Sequence, residues 1–375
     1  MSKTIWSSLQ KIWEDADFIL FREATPGGSG PRLILAPTSE RPSPATIRRL
    51  EYLHSLRERL DSAWFARPTS VVWQNGRPAL VLEDPGGTVL EKRLGRPLEV
   101  RLALRLGIGM ASALSRFHAV GFIHRKLDPN NVFIDLDTGN TRLVGAYIAL
   151  GSSSEGSEAP EPLGVNLAYL APEQTGRMNR SPDSRSDLYA FGVMLYQMVT
   201  GVLPFTAKDP MEWIHGHLAI QPMPPSQRAK AVPDQLSAII MKLVAKMPED
   251  RYQTATGVEK DLKKCLETLE SGRLIAPFPL GMCDAPQQLL ISEKLYGRDS
   301  EIQTLVSAFG CGNCKFIFTP ATVLQLLLRP SGSNISGGSH SLSSKSQSIA
   351  FFLCSRMRVC APPEVKANES TVLTR

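Results

Sequence analysis

The chain has 375 residues, 42% of them hydrophobic, with a formal net charge of +6. That length and apolar content exclude a disordered polypeptide and suffice for one two-lobed domain or two smaller ones. The charge does not make a nucleic-acid binder. From Gly310 onward Lys315, Arg329, Lys345, Arg356, Arg358, Lys366 and Arg375 stand against Glu364 and Glu369, which is +5 of the +6, so everything before is close to neutral.

No basic segment followed by an apolar one opens the chain, and no apolar run reaches the roughly 20 residues of a membrane span, so we expect a cytoplasmic protein without a membrane partner. Cys311, Cys314, Cys354 and Cys360 lie in the basic tail, with Cys265 and Cys283 before it. The spacing lacks the tight second pair of a zinc site, and we expect incidental thiols.

In chain order, Asp17–Phe21, Arg32–Ala36, Ser70–Trp73 and Ala79–Leu82 read as strands. Between the second and third, Ile47, Leu50, Leu53 and Leu56 give helical spacing over 44–60, with Ser43 as N-cap. After Asp84-Pro-Gly-Gly87 the pattern turns helical. Leu102, Leu106, Met110, Leu114 and Phe117 share one face of a helix over 98–119, ended by Gly121. Short strands follow at Val132–Ile134 and Arg142–Val144, then helices over 187–200, 233–246 and 256–270. Beyond Phe309 the sequence becomes rich in Ser and Gly and poor in acids, which predicts disorder, with a short helix over 321–328 as the alternative.

His124-Arg-Lys-Leu-Asp-Pro-Asn-Asn131 resembles the catalytic loop of protein kinases, H-R-D-L-x-x-x-N. Ala171-Pro-Glu173 follows, then Asp187-Leu-Tyr-Ala-Phe-Gly192 and Arg251, in the order and at the distances of the kinase motifs. The resemblance implies an α+β, two-lobed protein-kinase-like fold: a small β-rich N-lobe over 1–85 and a large helical C-lobe over 86–272. It also implies that Asp187 holds the catalytic loop's backbone and that Arg251 pairs with Glu173, with His124 and Arg125 as further structural motif residues.

Over Leu167–Arg180, Asp183–Tyr189 and Asp209–His215 the likeness extends to the N-terminal kinase-like domain of large bacterial sensors, which continue into an NTPase module and a sensor histidine kinase. Lys294–Ile302 resembles the entry to that module, so 273–309 reads as a linker and module start. No Gly-Lys dipeptide follows to form a phosphate loop, and 310–375 reads as an aberrant tail of a truncated or frame-shifted chain, or as a natural basic tail.

Phosphoryl transfer needs a strand Lys on the phosphates, two metal-holding residues and a base. Lys126 stands at the base position, where a charged ammonium has no lone pair to accept a proton, and Asp128 stands where the loop usually has Lys. Either Asp128 takes over as base or it is an ordinary loop carboxylate. The metal-binding Asp-Phe-Gly aligns with Gly145-Ala-Tyr147, leaving Asn131 as a metal ligand or simply a turn residue. The Lys-bearing strand corresponds to Leu33-Ile-Leu-Ala36, without Lys, and Glu51 is the helix carboxylate that would pair with it or an exposed charge. Pro26-Gly-Gly-Ser-Gly-Pro31 reads as a strand turn, not a nucleotide loop. Arg125 serves packing, or pairs with a phosphorylated Ser in Gly151–Glu155. The expectation is a pseudokinase that regulates or docks signalling proteins; an active serine/threonine kinase binding ATP and magnesium, and a non-functional fragment, are the alternatives.

Overall fold

The structure, a computed structural model, describes residues 9–23, 31–74, 76–145, 148–150, 166–178 and 180–285. The expectations for Lys294–Ile302, for the cysteines and the short helix of the tail, for Gly151–Glu155 and for most of Pro26–Pro31 lie outside those residues.

Five antiparallel strands form the first lobe: β1 (Gln10–Glu14), β2 (Phe18–Glu23), β3 (Arg32–Pro37), β4 (Pro68–Gln74) and β5 (Arg77–Glu83), in the order β1-β2-β3-β5-β4. Alternation in β3 sends Leu33 and Leu35 to one face, where they join Phe18, Leu20, Leu80 and Leu82. On that face packs α1 (Pro44–Ser55), through Leu50 and Leu53. Ser43 caps the helix as expected, its Oγ accepting from Thr46 N at 3.1 Å. Ile34 and Ala36 turn to the opposite face and cluster with Phe21 and Ala79.

The second lobe is mostly helical, as the sequence predicts. Its long α2 (Val100–Ala119) leads through Gly121, with φ 82°, into β7 (Phe122–Ile123) and the catalytic-loop segment. The small pieces β6 (Thr88–Val89), β8 (Val132–Ile134) and β9 (Thr141–Leu143) make a three-stranded sheet, and β10 (Ala149–Leu150) pairs with β7. At the centre stands α3 (Ser184–Thr200), capped by Asp183 and closed by Gly201 at φ 77°. From Ser186 to Thr200 every residue but Gln197 is buried, so α3 is enclosed on all sides rather than amphipathic. The lobe is completed by α4 (Pro210–Ala219), α5 (Pro225–Arg228), α6 (Asp234–Leu243) and α7 (Ala255–Glu270). No described helix is long and apolar enough to cross a membrane.

The chain beyond α7 folds back on this lobe. Gln235 exchanges two hydrogen bonds with the backbone of Phe278, Gly281 N donates to Asp261, and Asp284 accepts from Gln253 N and Thr254 N. A joint links the lobes: Leu143 of β9 exchanges backbone bonds with Trp64 and Ala66, while Arg142 reaches Ser62 O and Pro85 O. A cavity of about 280 Å³ lies there, lined by Asp61, Phe65, Glu83, Asp84 and Arg142, away from the catalytic loop.

Candidate active site

Asp187, in the first turn of α3 and 1% exposed, organises the catalytic loop from beneath. Its Oδ2 accepts from His124 N at 2.8 Å and from His118 Nε2 at 3.0 Å, and its Oδ1 accepts from Arg125 N at 3.0 Å. Those bonds hold Arg125 at φ 64°, the left-handed region that a non-glycine residue enters at a cost of about 1–2 kcal/mol. His124 is fully buried, and burial lowers its pKa; its Nε2 donates to Val144 O at 3.0 Å, which fixes the neutral tautomer. Asp187 thus holds the loop backbone at His124 and Arg125.

The second brace is the Glu173–Arg251 pair, with both side chains 1% exposed or less. Two parallel bonds of 2.7 Å join guanidinium and carboxylate. The remaining Arg251 donors reach Ala245 O, Arg185 O and Lys246 O, and Ser186 Oγ donates to Glu173, so the buried charges are satisfied. Gln174 extends this brace to the loop: its Nε2 donates to Arg125 O at 2.7 Å while its Oε1 accepts from Ala171 N.

Lys126, at the position of the proton acceptor, is nearly buried and donates from Nζ to Asp15 Oδ2 at 2.7 Å. Asp128 is buried and caps the turn Pro129–Asn131, its Oδ1 accepting from Asn130 N at 2.9 Å. Burial raises its pKa to about 6, against the pull of the Asn130 amide and of Lys126. The space bounded by Lys126, Asp128, Tyr169 and Asp187 measures about 10 Å³, room for about one water. Asn131 is buried too, and its Nδ2 donates to Lys126 O at 2.8 Å, so its amide braces the loop from within.

The small lobe corrects one sequence assignment. A strand Lys that pairs with a helix Glu must face the helix. In β3 that face belongs to Leu33 and Leu35, not to Ala36, so the register of the expected Lys position shifts by one residue, to Leu35, which is 1% exposed. Glu51 is exposed on α1, off the buried stripe of Thr46, Leu50 and Leu53. At Gly145 an added Cβ would lie 2.7 Å from His124 Nε2 and 2.8 Å from its Cε1, so this backbone has no room for an aspartate there. Of the groups that hold a magnesium-bound triphosphate in protein kinases, Asn131 alone has its counterpart among these positions, and the set does not fit that ligand.

Sequence reasoning missed Asp15, Gln174 and His118. Asp15-Ala-Asp17 before a hydrophobic strand is a visible turn signal. Nothing local tells that the turn meets a residue 111 positions away.

The family model of the protein kinase domain matches residues 52–262. The match opens inside α1, leaving β1 to β3 outside it. Over 224 residues the chain is 32% identical to serine/threonine-protein kinase PknB of Mycobacterium tuberculosis, covering 56% of this chain and 35% of that protein. Serine/threonine-protein kinase Pkn1 of Myxococcus xanthus is 32% identical over 194 residues, 51% of this chain and 28% of that protein. A probable serine/threonine-protein kinase of Streptomyces coelicolor is 31% identical over the same shares. The chain thus spans about a third of the length of the curated relatives it matches. Two lobes, a catalytic loop anchored by Asp187, a buried Glu173–Arg251 pair and a match over more than half its length make this chain a member of the protein kinase family.

Proposed function

We propose that this domain is a pseudokinase, a signalling module that acts by contact and conformation, docking partner proteins in a bacterial cytoplasmic pathway; NTPase and histidine-kinase modules are the partner class that the sequence resemblance suggests. The observation that carries the reading is Lys126: the place of the proton acceptor holds an ammonium, already engaged by Asp15 at 2.7 Å. Leu35 at the strand-Lys position and the crowded Gly145 add to it, because the lysine that would pair with the phosphates and the aspartate that would hold the metal ion are both missing from one cleft. The braces around Asp187 and Arg251 persist because they stabilise the fold, whatever chemistry it supports.

One observation favours a second reading, a serine/threonine kinase using Asp128 as base. A carboxyl with its pKa raised to about 6 beside a Lys is tuned toward proton transfer. Against it stand the capping bond to Asn130 and a neighbouring space no larger than a water. Calorimetric titration of the chain with ATP and magnesium separates the two: the pseudokinase reading predicts no saturable binding in the micromolar range, and micromolar affinity would overturn it.

A further inference from the structure

In protein kinases a glycine-rich loop of the small lobe covers the phosphates, whose charge cationic groups and metal ions neutralise. Among the described residues, the small-lobe turn that reaches the catalytic loop is Asp15-Ala-Asp17, between β1 and β2, with two carboxylates and no glycine. Asp15 is set by its own turn: Oδ1 accepts from Asp17 N at 2.8 Å and from Phe18 N at 2.7 Å, leaving Oδ2 for Lys126. The turn is in turn pinned to the end of β3, where Thr38 Oγ1 donates to Asp15 O and Thr38 N to Asp17 O. Asp17 Oδ2 lies 3.5 Å from Arg49 Nη1 on α1. The carboxylate is thus oriented before the lobes meet, and the side chains of Lys126 and Asp15 are only 5% and 21% exposed where they meet. Water screens such a pair far less than a surface pair.

We propose that Asp15 is an internal anion ligand for Lys126, a carboxylate standing in for the phosphate, which latches the two lobes together without nucleotide. This rests on the reading of the cleft as one not organised for ATP. The charge exchange at Lys126 then has a positive role: the cation that cannot accept a proton gives the catalytic loop a fixed point on the opposite lobe.

The test is a double-mutant cycle in the full chain, with Asp15→Asn, Lys126→Met and both, followed by urea unfolding and by hydrogen exchange of the catalytic-loop amides. The latch predicts about tenfold coupling between the two substitutions in the unfolding equilibrium. It also predicts faster exchange at Lys126, Leu127 and Asp128 in native Asp15→Asn. Should a neutral variant fail to fold, the exchanged pair Asp15→Lys with Lys126→Asp decides, since recovery over either single substitution supports the latch. Additive effects, unchanged exchange, or no recovery overturn it. Coupling supports the latch whatever the nucleotide titration shows, so the two failures are told apart.

Discussion

Arg251 offers the sharpest test of bracing at the scale of single residues. Its guanidinium is 1% exposed as a residue, lies 4.8 Å over the Tyr189 ring and spends its donors on Glu173 and three carbonyls. Arg251→Met would leave the Glu173 carboxylate buried with Ser186 as its remaining side-chain donor. Stranding a buried charge in this way costs about 3–5 kcal/mol, so urea unfolding should show a loss of that size, several times that of Lys11→Met, which removes the exposed Lys11–Glu14 pair. These bracing residues were legible in the sequence because each sits in a short motif whose order is diagnostic. The position of the strand Lys was not legible to one residue. In Leu33-Ile-Leu-Ala36 both faces of the strand are apolar, so the pattern does not say which face meets α1.

Among the elements, the segment after α7 shows how a fold extends past its family motifs. Reading the sequence, the C-lobe stops at Gly272, because a glycine after a helix is a strong stop signal. The chain does turn there, at φ 71°, but it then runs back along α6 and α7 and places Asp284 against the start of α7. Gly257 makes this possible, since a Cβ there would lie 2.6 Å from Asp284 Oδ1. Asp284 accepts from Gln253 N, Thr254 N and Thr254 Oγ1 at the positive end of that helix. Asp284→Ala should lower stability by about 1–2 kcal/mol, measured as a shift of the urea midpoint with unchanged slope. An unchanged midpoint would show the segment to be a passive passenger. The long helices were read to within a few residues, as 3.6-residue spacing and caps are strong local signals. Strand β1 was missed: a register shift between Lys11 and Trp13 breaks the alternation that marks a strand, and its residues are only partly buried.

At the scale of the whole molecule, buried groups of two kinds pull stability in opposite directions between pH 4 and 6.5. His217 is fully buried; its Nε2 donates to Leu167 O and its Nδ1 accepts from Tyr189, and burial lowers its pKa from 6.5 to about 4. The unfolded chain therefore binds the extra proton, and the stability that neutral His217 secures above pH 6.5 is lost as pH falls toward 4. His124, with its pKa also lowered by burial, acts in the same direction. Asp128 has its pKa raised from 3.8 to about 6, so the folded chain binds the extra proton and stability falls as pH rises through that window. Asp128→Asn removes this opposing, pH-dependent contribution. Urea midpoints at pH 6.5 and pH 4 should then show the variant losing more stability on acidification than the parent, by about 2 kcal/mol. Equal losses would show that Asp128 is not held as the structure places it.

Fold and centre were legible to different degrees for a physical reason. Motifs such as His124-Arg125 and Asp187 report architecture directly, whereas the engagement of Lys126 by Asp15 joins two lobes and is visible only once they are assembled. The most direct measurement is transfer of radiolabelled γ-phosphate from ATP with magnesium to a protein hydroxyl, on the chain itself or on a general acceptor such as casein, for the parent and for Asp128→Ala. The account predicts no transfer above a protein-free control for either; transfer at a measurable turnover that Asp128→Ala abolishes would contradict it.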